Sequence, residues 1–129
     1  MDKSQEIKKD GKQFLEELFR FETEIHEKQT ELSYWKEQNL PAGALGDEIA
    51  ERTCELEALI REKTQKKLDA TRMIDQMTDP IGRAILRYRY ILCRTWAEVA
   101  DACGGMSERN AHYIHDSAIR EFEKLYAEA

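Results

Sequence analysis

The chain has 129 residues, of which 41% are hydrophobic and 36% charged, with two prolines, six glycines and a net charge of −6. This size allows one compact domain or two small ones, and the shortage of proline and glycine excludes a loop-rich fold. The N-terminus has no apolar signal core, and no window approaches the ~18 consecutive apolar residues of a membrane span. We therefore expect a soluble, cytoplasmic, almost wholly α-helical protein with no membrane contact.

The acidic charge belongs to the N-terminal part of the chain. Residues 1–79 hold 13 Lys and Arg against 19 Asp and Glu, whereas residues 80–129 hold seven of each. The C-terminal part is thus neutral, and His112 and His115 add positive charge there if they are protonated.

The first predicted element is a long helix from about Ser4 to Gln38. Apolar residues recur in it at alternating steps of four and three, which is the heptad seam of a coiled coil. Leu15 and Phe19 widen the stripe, so we expect this helix to have more than one apolar neighbour. The seam positions are Ile7, Gly11, Phe14, Leu18, Phe21, Ile25, Lys28, Leu32 and Trp35.

A connection and a second long helix follow. The segment NLPAGALG, residues 39–46, breaks the pattern, and the same spacing returns from about Asp47 to Met77. The two helices are nearly equal in length and can close as an antiparallel hairpin, although the pattern does not separate pairing within one chain from pairing between two. Lys63 and Lys67 occupy seam positions, and their stems can cover apolar surface while the ammonium groups reach water or an acidic side chain. The other seam positions are Ile49, Thr53, Leu56, Ile60, Ala70, Ile74 and Met77.

Capping signals divide the C-terminal part into three shorter helices. Asp79 with Pro80 starts a third helix, IGRAILRYRYIL at residues 81–92, because Asp can cap it and Pro needs no donor at the first helical position. Thr95 and Glu98 form the capping box of a fourth helix. The pair Gly104 and Gly105 ends that helix, and a fifth, capped by Ser107, runs to about Tyr126. The predicted core residues here are Ile85, Leu86, Tyr90, Trp96, Val99, Ala100, Ala111, Ile114, Ala118 and Phe122.

The motifs ILRYRY, TWAEVADAC and SERNAHYIHDSAIREF, within residues 81–126, resemble the C-terminal helix-turn-helix of bacterial σ factors, known as region 4. Together with the long acidic N-terminal half, the segments DPIGRAILRYRYI, TWAEVA and SERNAHYIHDSAI also look like the RinA/ArpU family of phage late-transcription activators. The resemblance implies an all-α fold with a long, coiled-coil-like antiparallel helical hairpin at residues 1–78. A σ-like three-helix DNA-binding domain would follow at residues 79–129.

The resemblance also implies which residues bind double-stranded DNA. The outward residues of the fifth helix correspond to the base-reading face of σ factors, and Arg109 is the best candidate for a bidentate contact to guanine. Arg83, Arg87, Arg89 and Arg94 are candidates for the DNA backbone, with Arg89 alternatively a structural ion-pair partner. The predicted DNA-binding residues are Ser107, Glu108, Arg109, His112, Tyr113, Asp116, Arg87 and Arg94.

Two features depart from the σ-factor pattern. Six residues separate Ala100 from Ser107, one more than usual, so the turn is longer and the reading helix can be re-aimed. Glu108 and Asp116 lie on the face that should meet phosphates, where like charge repels. A neutral domain binds DNA weakly by electrostatics alone, so we expect a homo-oligomer, most simply a dimer, or help from host RNA polymerase.

Other chemistry is not indicated. The chain has no nucleophile motif, phosphate loop or cofactor fingerprint, so we expect neither an enzyme nor a cofactor or small-molecule substrate. His112 and His115 are spaced like half of a metal site, but we expect ordinary surface histidines and no metal. Cys54, Cys93 and Cys103 include no C-x-x-C pair and suggest no disulfide framework, and Cys93 and Cys103 are expected to be apolar fillers.

Two other classes of protein remain open. In the first, the acidic helical half binds a protein such as polymerase, and the C-terminal helices only pack. In the second, the chain is a packaging protein of the small-terminase type, which also combines a helix-turn-helix with helical oligomerisation. Those proteins place the DNA-binding part first, whereas here it comes last.

Overall fold

The computed structural model describes residues 10–38 and 43–129, and within them it is all-α, as predicted, with an antiparallel hairpin of two long helices followed by a helical unit. Neighbouring elements contact one another throughout, and both long helices also contact the last one. The elements are α1 (Gly11–Lys36), α2 (Ala44–Asp75), α3 (Pro80–Leu86), a π-helical segment (Arg87–Ile91), α4 (Trp96–Ala102) and α5 (Glu108–Glu128).

The helix ends differ from the predicted ones by a few residues. Residues 4–9 of the predicted first helix and residues 39–42 of the predicted connection lie outside the described residues. The second helix begins at Ala44 rather than Asp47, because the Asp47 amide already donates to the Gly43 carbonyl at 2.9 Å. The last helix continues two residues beyond Tyr126.

Side chains cap the helices where the sequence predicted caps. The Asp79 carboxylate accepts from the Ile81 amide, and the Thr95 hydroxyl accepts from the Glu98 amide while the Glu98 carboxylate accepts in return from the Thr95 amide. Hydrogen bonding to that amide lowers the pKa of Glu98. An unpredicted capping box of Asp10 and Gln13 starts α1. Caps of this kind each contribute about 1 kcal/mol, so α1, α3 and α4 start at set positions.

The predicted third helix is not a regular α-helix over residues 81–92. It is α-helical only to Leu86 and then widens into a π turn, in which the Leu92 amide donates to the Arg87 carbonyl five residues back. Cys93 follows with a left-handed φ of +57°. Side chains of this segment contact α2, α4 and α5. Single π turns in helices often occur at functional sites.

The main core joins the base of the hairpin to the C-terminal helices. Leu15 and Leu18 of α1 are fully buried in it together with Ile74 of α2 and Phe122 of α5. This confirms that α1 has more than one apolar neighbour. The other buried members are Phe14, Phe21, Ala70, Met77, Leu86, Tyr90, Ala118 and Ile119.

Ion pairs hold the outer part of the hairpin together. The predicted seam lysines reach acidic residues of α1, with Lys63 2.9 Å from Glu24 and Lys67 2.7 Å from Glu22. The Lys63 ammonium group also lies 4.6 Å from the centre of the Phe21 ring. Their stems therefore cover the seam while their charges are paired within the same chain.

Candidate nucleic-acid interface

A small second core fixes the angle between α4 and α5. Ile85, Val99, Ala100 and Ala111 are buried together, so three successive helices meet at one point. All four residues were predicted to be core. The half-buried residues packed around them are Tyr88, Trp96, Cys103, Met106 and Ile114.

Two glycines make the turn between α4 and α5. Gly104 and Gly105 have φ values of +96° and +72°, in the left-handed region that favours glycine, and a Cβ on either would meet nothing within 4 Å. The turn is closed by the Met106 amide, which donates to the Ala100 carbonyl at 3.1 Å, as at a glycine-ended helix. Both glycines are therefore needed for the backbone path, which accounts for the one-residue-longer turn.

The predicted reading residues lie together on one exposed face of α5. Glu108, Arg109, His112, Tyr113 and Asp116 are all exposed, and Tyr113 is 77% exposed although it is aromatic. Within the described part of the chain, the Arg109 side chain makes no hydrogen bond or ion pair, so its guanidinium is available. Ser107 is exposed too, but its hydroxyl accepts from the Asn110 amide at 3.1 Å and caps the helix.

His112 is held by an aromatic stack. Its ring centre lies 3.9 Å from that of Trp96. The Arg89 guanidinium lies 4.9 Å from the centre of the Trp96 ring and 4.4 Å from the centre of the Phe19 ring. Arg89 also donates to the Arg94 carbonyl at 2.9 Å. The partners of Arg89 are thus two rings and a carbonyl, whereas the predicted alternative was an ion pair.

His115 is not the surface histidine that we predicted. It is only 6% exposed, and its Nε2 lies 2.8 Å from the hydroxyl of buried Tyr90. Burial lowers the pKa of His115, against an opposing hydrogen bond with Asp116, and burial raises the pKa of Tyr90 to about 12. The prediction was wrong because α5 packs against several helices, α1, α3 and α4 among them, and the His115 ring lies between α5 and the rings of Tyr90 and Trp96.

The candidate phosphate-binding arginines divide into two groups. Arg87 lies 2.6 Å from Asp75, and Arg83 donates to the Met77 carbonyl at 2.8 Å, so both brace α2 against the helices that follow. Arg94 is exposed directly before the cap of α4, and its side chain makes no hydrogen bond or ion pair within residues 10–38 and 43–129. Of the four candidates for the DNA backbone, Arg94 is therefore the freest cation.

The described residues carry no cluster of three or more His, Cys, Asp and Glu side chains suited to a metal ion. Among the same residues, no helix combines the length and apolar character that crossing a bilayer requires. Burial raises the pKa of Cys93 and of Cys103, which keeps both thiols protonated.

A family model matches residues 47–123, which is more than half of the chain. The chain belongs to the DUF1492 family. That family is described as a protein of unknown function. Comparisons with curated proteins and with solved structures gave no match.

The DUF1492 match runs from most of α2 through most of α5, and α1 lies outside it. The sequence pattern did not indicate a cleft of about 460 Å³ beside the exposed face of α5, which α1, the π-helical segment and α4 also line. Lys12, Glu16 and Arg20 of α1 line it opposite His112 and Asp116. The feature of the sequence that could have indicated this cleft is Phe19, which lies outside the strict heptad seam and contacts Arg89.

Proposed function

We propose that the chain is a sequence-specific regulator of transcription that binds double-stranded DNA, with α5 as its reading helix. In this proposal it is a phage or prophage regulator that acts at a promoter together with host RNA polymerase. The observation that supports this best is the exposed first two turns of α5, where Arg109 is unpaired and exposed beside a short, capped α4.

The reading residues have complementary tasks. The Arg109 guanidinium can donate twice to the N7 and O6 acceptors of guanine in the major groove. The stack on Trp96 holds the His112 ring in place, so a ring nitrogen can donate to a base or phosphate without the cost of ordering it. Tyr113 carries an exposed hydroxyl for the same purpose. Arg94, before the cap of α4, is placed for a backbone phosphate.

The two carboxylates on this face limit non-specific binding. Glu108 and Asp116 are exposed and repel phosphates, so contacts to the DNA backbone gain less there. Acidic side chains can still accept from the N4 amino group of cytosine. We therefore expect weak non-specific binding with a shallow salt dependence and a larger contribution from base contacts.

The test is a binding titration by fluorescence anisotropy at several salt concentrations. It uses duplexes from the genomic region that encodes the protein, with the wild type, Arg109→Glu and Arg72→Glu compared. Arg72 is an exposed arginine of α2, far along the chain from the reading helix, and it provides the same change of charge. Specific binding lost in Arg109→Glu and kept in Arg72→Glu is expected. If the wild type binds no duplex even at low salt, the proposal fails.

A second candidate is a protein that binds polymerase or another protein through its acidic hairpin without reading DNA. The carboxylates on the reading face and the net charge of −6 favour it. Arg109→Glu separates the two functions, because it should leave binding to such a partner unchanged.

A further inference from the structure

One long side of the hairpin carries an open apolar groove. Two adjoining hollows of about 520 and 370 Å³ lie between α1 and α2 and share Gln29 and Thr64. We call the helix faces that line them the groove side. Its apolar lining residues are Ile25, Leu32, Ile60, Leu68 and Ile91.

The hairpin alone does not cover these side chains. Among the described residues from 22 to 69, Leu56 is the only one that is buried. Ile25 and Ile60 are only half-buried, and Leu68 is 45% exposed. Two helices bury only the strip where they touch, so a row of aliphatic side chains along their shared groove is a surface that further helices cover in a four-helix bundle.

The groove side is also poor in free carboxylates. On α1 the residues on this side are spaced three and four apart, and the one acidic member, Glu22, is paired with Lys67. On α2 the acidic lining residue is Glu57, which lies 3.2 Å from Lys36. Depletion of unpaired charge is typical of the centre of a protein interface.

The two ion pairs make the groove side complementary to itself. At one end of the groove, the acidic residue Glu22 is on α1 and the basic residue Lys67 is on α2. At the other end the order is reversed, with the basic Lys36 on α1 and the acidic Glu57 on α2. Gln29 lies midway between Glu22 and Lys36 in the chain. A two-fold axis that runs at right angles to the helices, at the level of Gln29, therefore places Glu22 of one copy opposite Lys36 of the other. The same rotation sets Lys67 against Glu57.

We propose that the groove side seats a second copy of this chain, with the paired helices antiparallel, so that two hairpins form a four-helix bundle. The apolar lining residues of the two copies then cover one another, and the charged ends match in sign, which sets the register. The dimer is a property of the chain alone, so its test does not involve DNA and can fail independently of the proposed function.

The first experiment is sedimentation equilibrium of the whole chain over the nanomolar to micromolar range. We expect a monomer–dimer equilibrium for the wild type and a shift to monomer in Leu68→Glu, which places a carboxylate in the groove. Tyr34→Glu is the control, because Tyr34 is exposed on another face of α1. Circular dichroism of each variant checks that helical content is retained. A wild type that stays monomeric, or a dimer that Leu68→Glu leaves intact, overturns the proposal and leaves the groove to a different protein.

The second experiment tests the antiparallel register. Glu22→Lys alone and Lys36→Glu alone should each weaken self-association several-fold, because like charges then face each other twice in every dimer. An equimolar mixture of the two variants should regain it, since each substituted residue meets its opposite charge in the other chain. A mixture that associates no better than either variant contradicts the antiparallel arrangement.

Discussion

His115 links α5 to the π-helical segment through a buried hydrogen bond to Tyr90, and protonation of the His115 ring destabilises the fold. Burial holds the pKa of His115 below its ordinary value of 6.5. As pH falls through 6.5, the unfolded chain takes up a proton that the folded chain does not, so stability is lost on the acid side.

The melting temperature should therefore fall more steeply in the wild type than in His115→Gln between about pH 7 and about pH 5. Glutamine can still hydrogen-bond the Tyr90 hydroxyl but does not titrate. His26→Gln, an exposed histidine of α1, is the control and should keep the wild-type slope. Equal slopes for the wild type and His115→Gln would contradict the buried neutral imidazole.

The packing of α1 against the C-terminal helices is the most important contact between elements for the stability of the fold. Leu18 is fully buried in the core that α1 shares with α2 and α5. Leu18→Ala should lower the free energy of unfolding by about 2–5 kcal/mol, because it leaves a cavity as well as losing burial. Chemical denaturation measures this, with the 60% exposed Leu45 changed to Ala as the control. An effect of Leu18→Ala no larger than that of Leu45→Ala would mean that α1 does not dock as described.

Local signals in the sequence predicted most of the elements. The heptad spacing predicted the hairpin. Three helix starts were predicted from Asp79, Thr95 and Ser107, because a helix cap depends only on residues within one turn. The π turn and the burial of His115 depend instead on which helices meet, which periodicity does not encode. The exposed face of α5 was predictable, but the contacts of the Arg89 guanidinium with the Trp96 and Phe19 rings were not, because Phe19 is remote in the chain.

At the scale of the whole molecule, the hairpin and the C-terminal helices share one core. The division of the chain into two domains between residues 78 and 79 stays a prediction. A fragment of residues 79–129 tests whether the second part folds alone. Phe122 is fully buried in the core to which α1 and α2 contribute, so the fragment would expose that apolar surface. We expect the isolated fragment to be less helical than the same residues in the whole chain and to unfold without a sharp transition. Circular dichroism during heating measures both, and a cooperative, fully helical fragment would show that the C-terminal unit folds alone.

Whether α5 reads DNA is tested by selecting bound duplexes from a random DNA library with the whole chain. We expect enrichment of one motif that contains an invariant guanine, and loss of preference at that base alone in Arg109→Ala. Enrichment of no motif by the wild type, at low as well as moderate salt, would contradict the assignment of α5 as a reading helix.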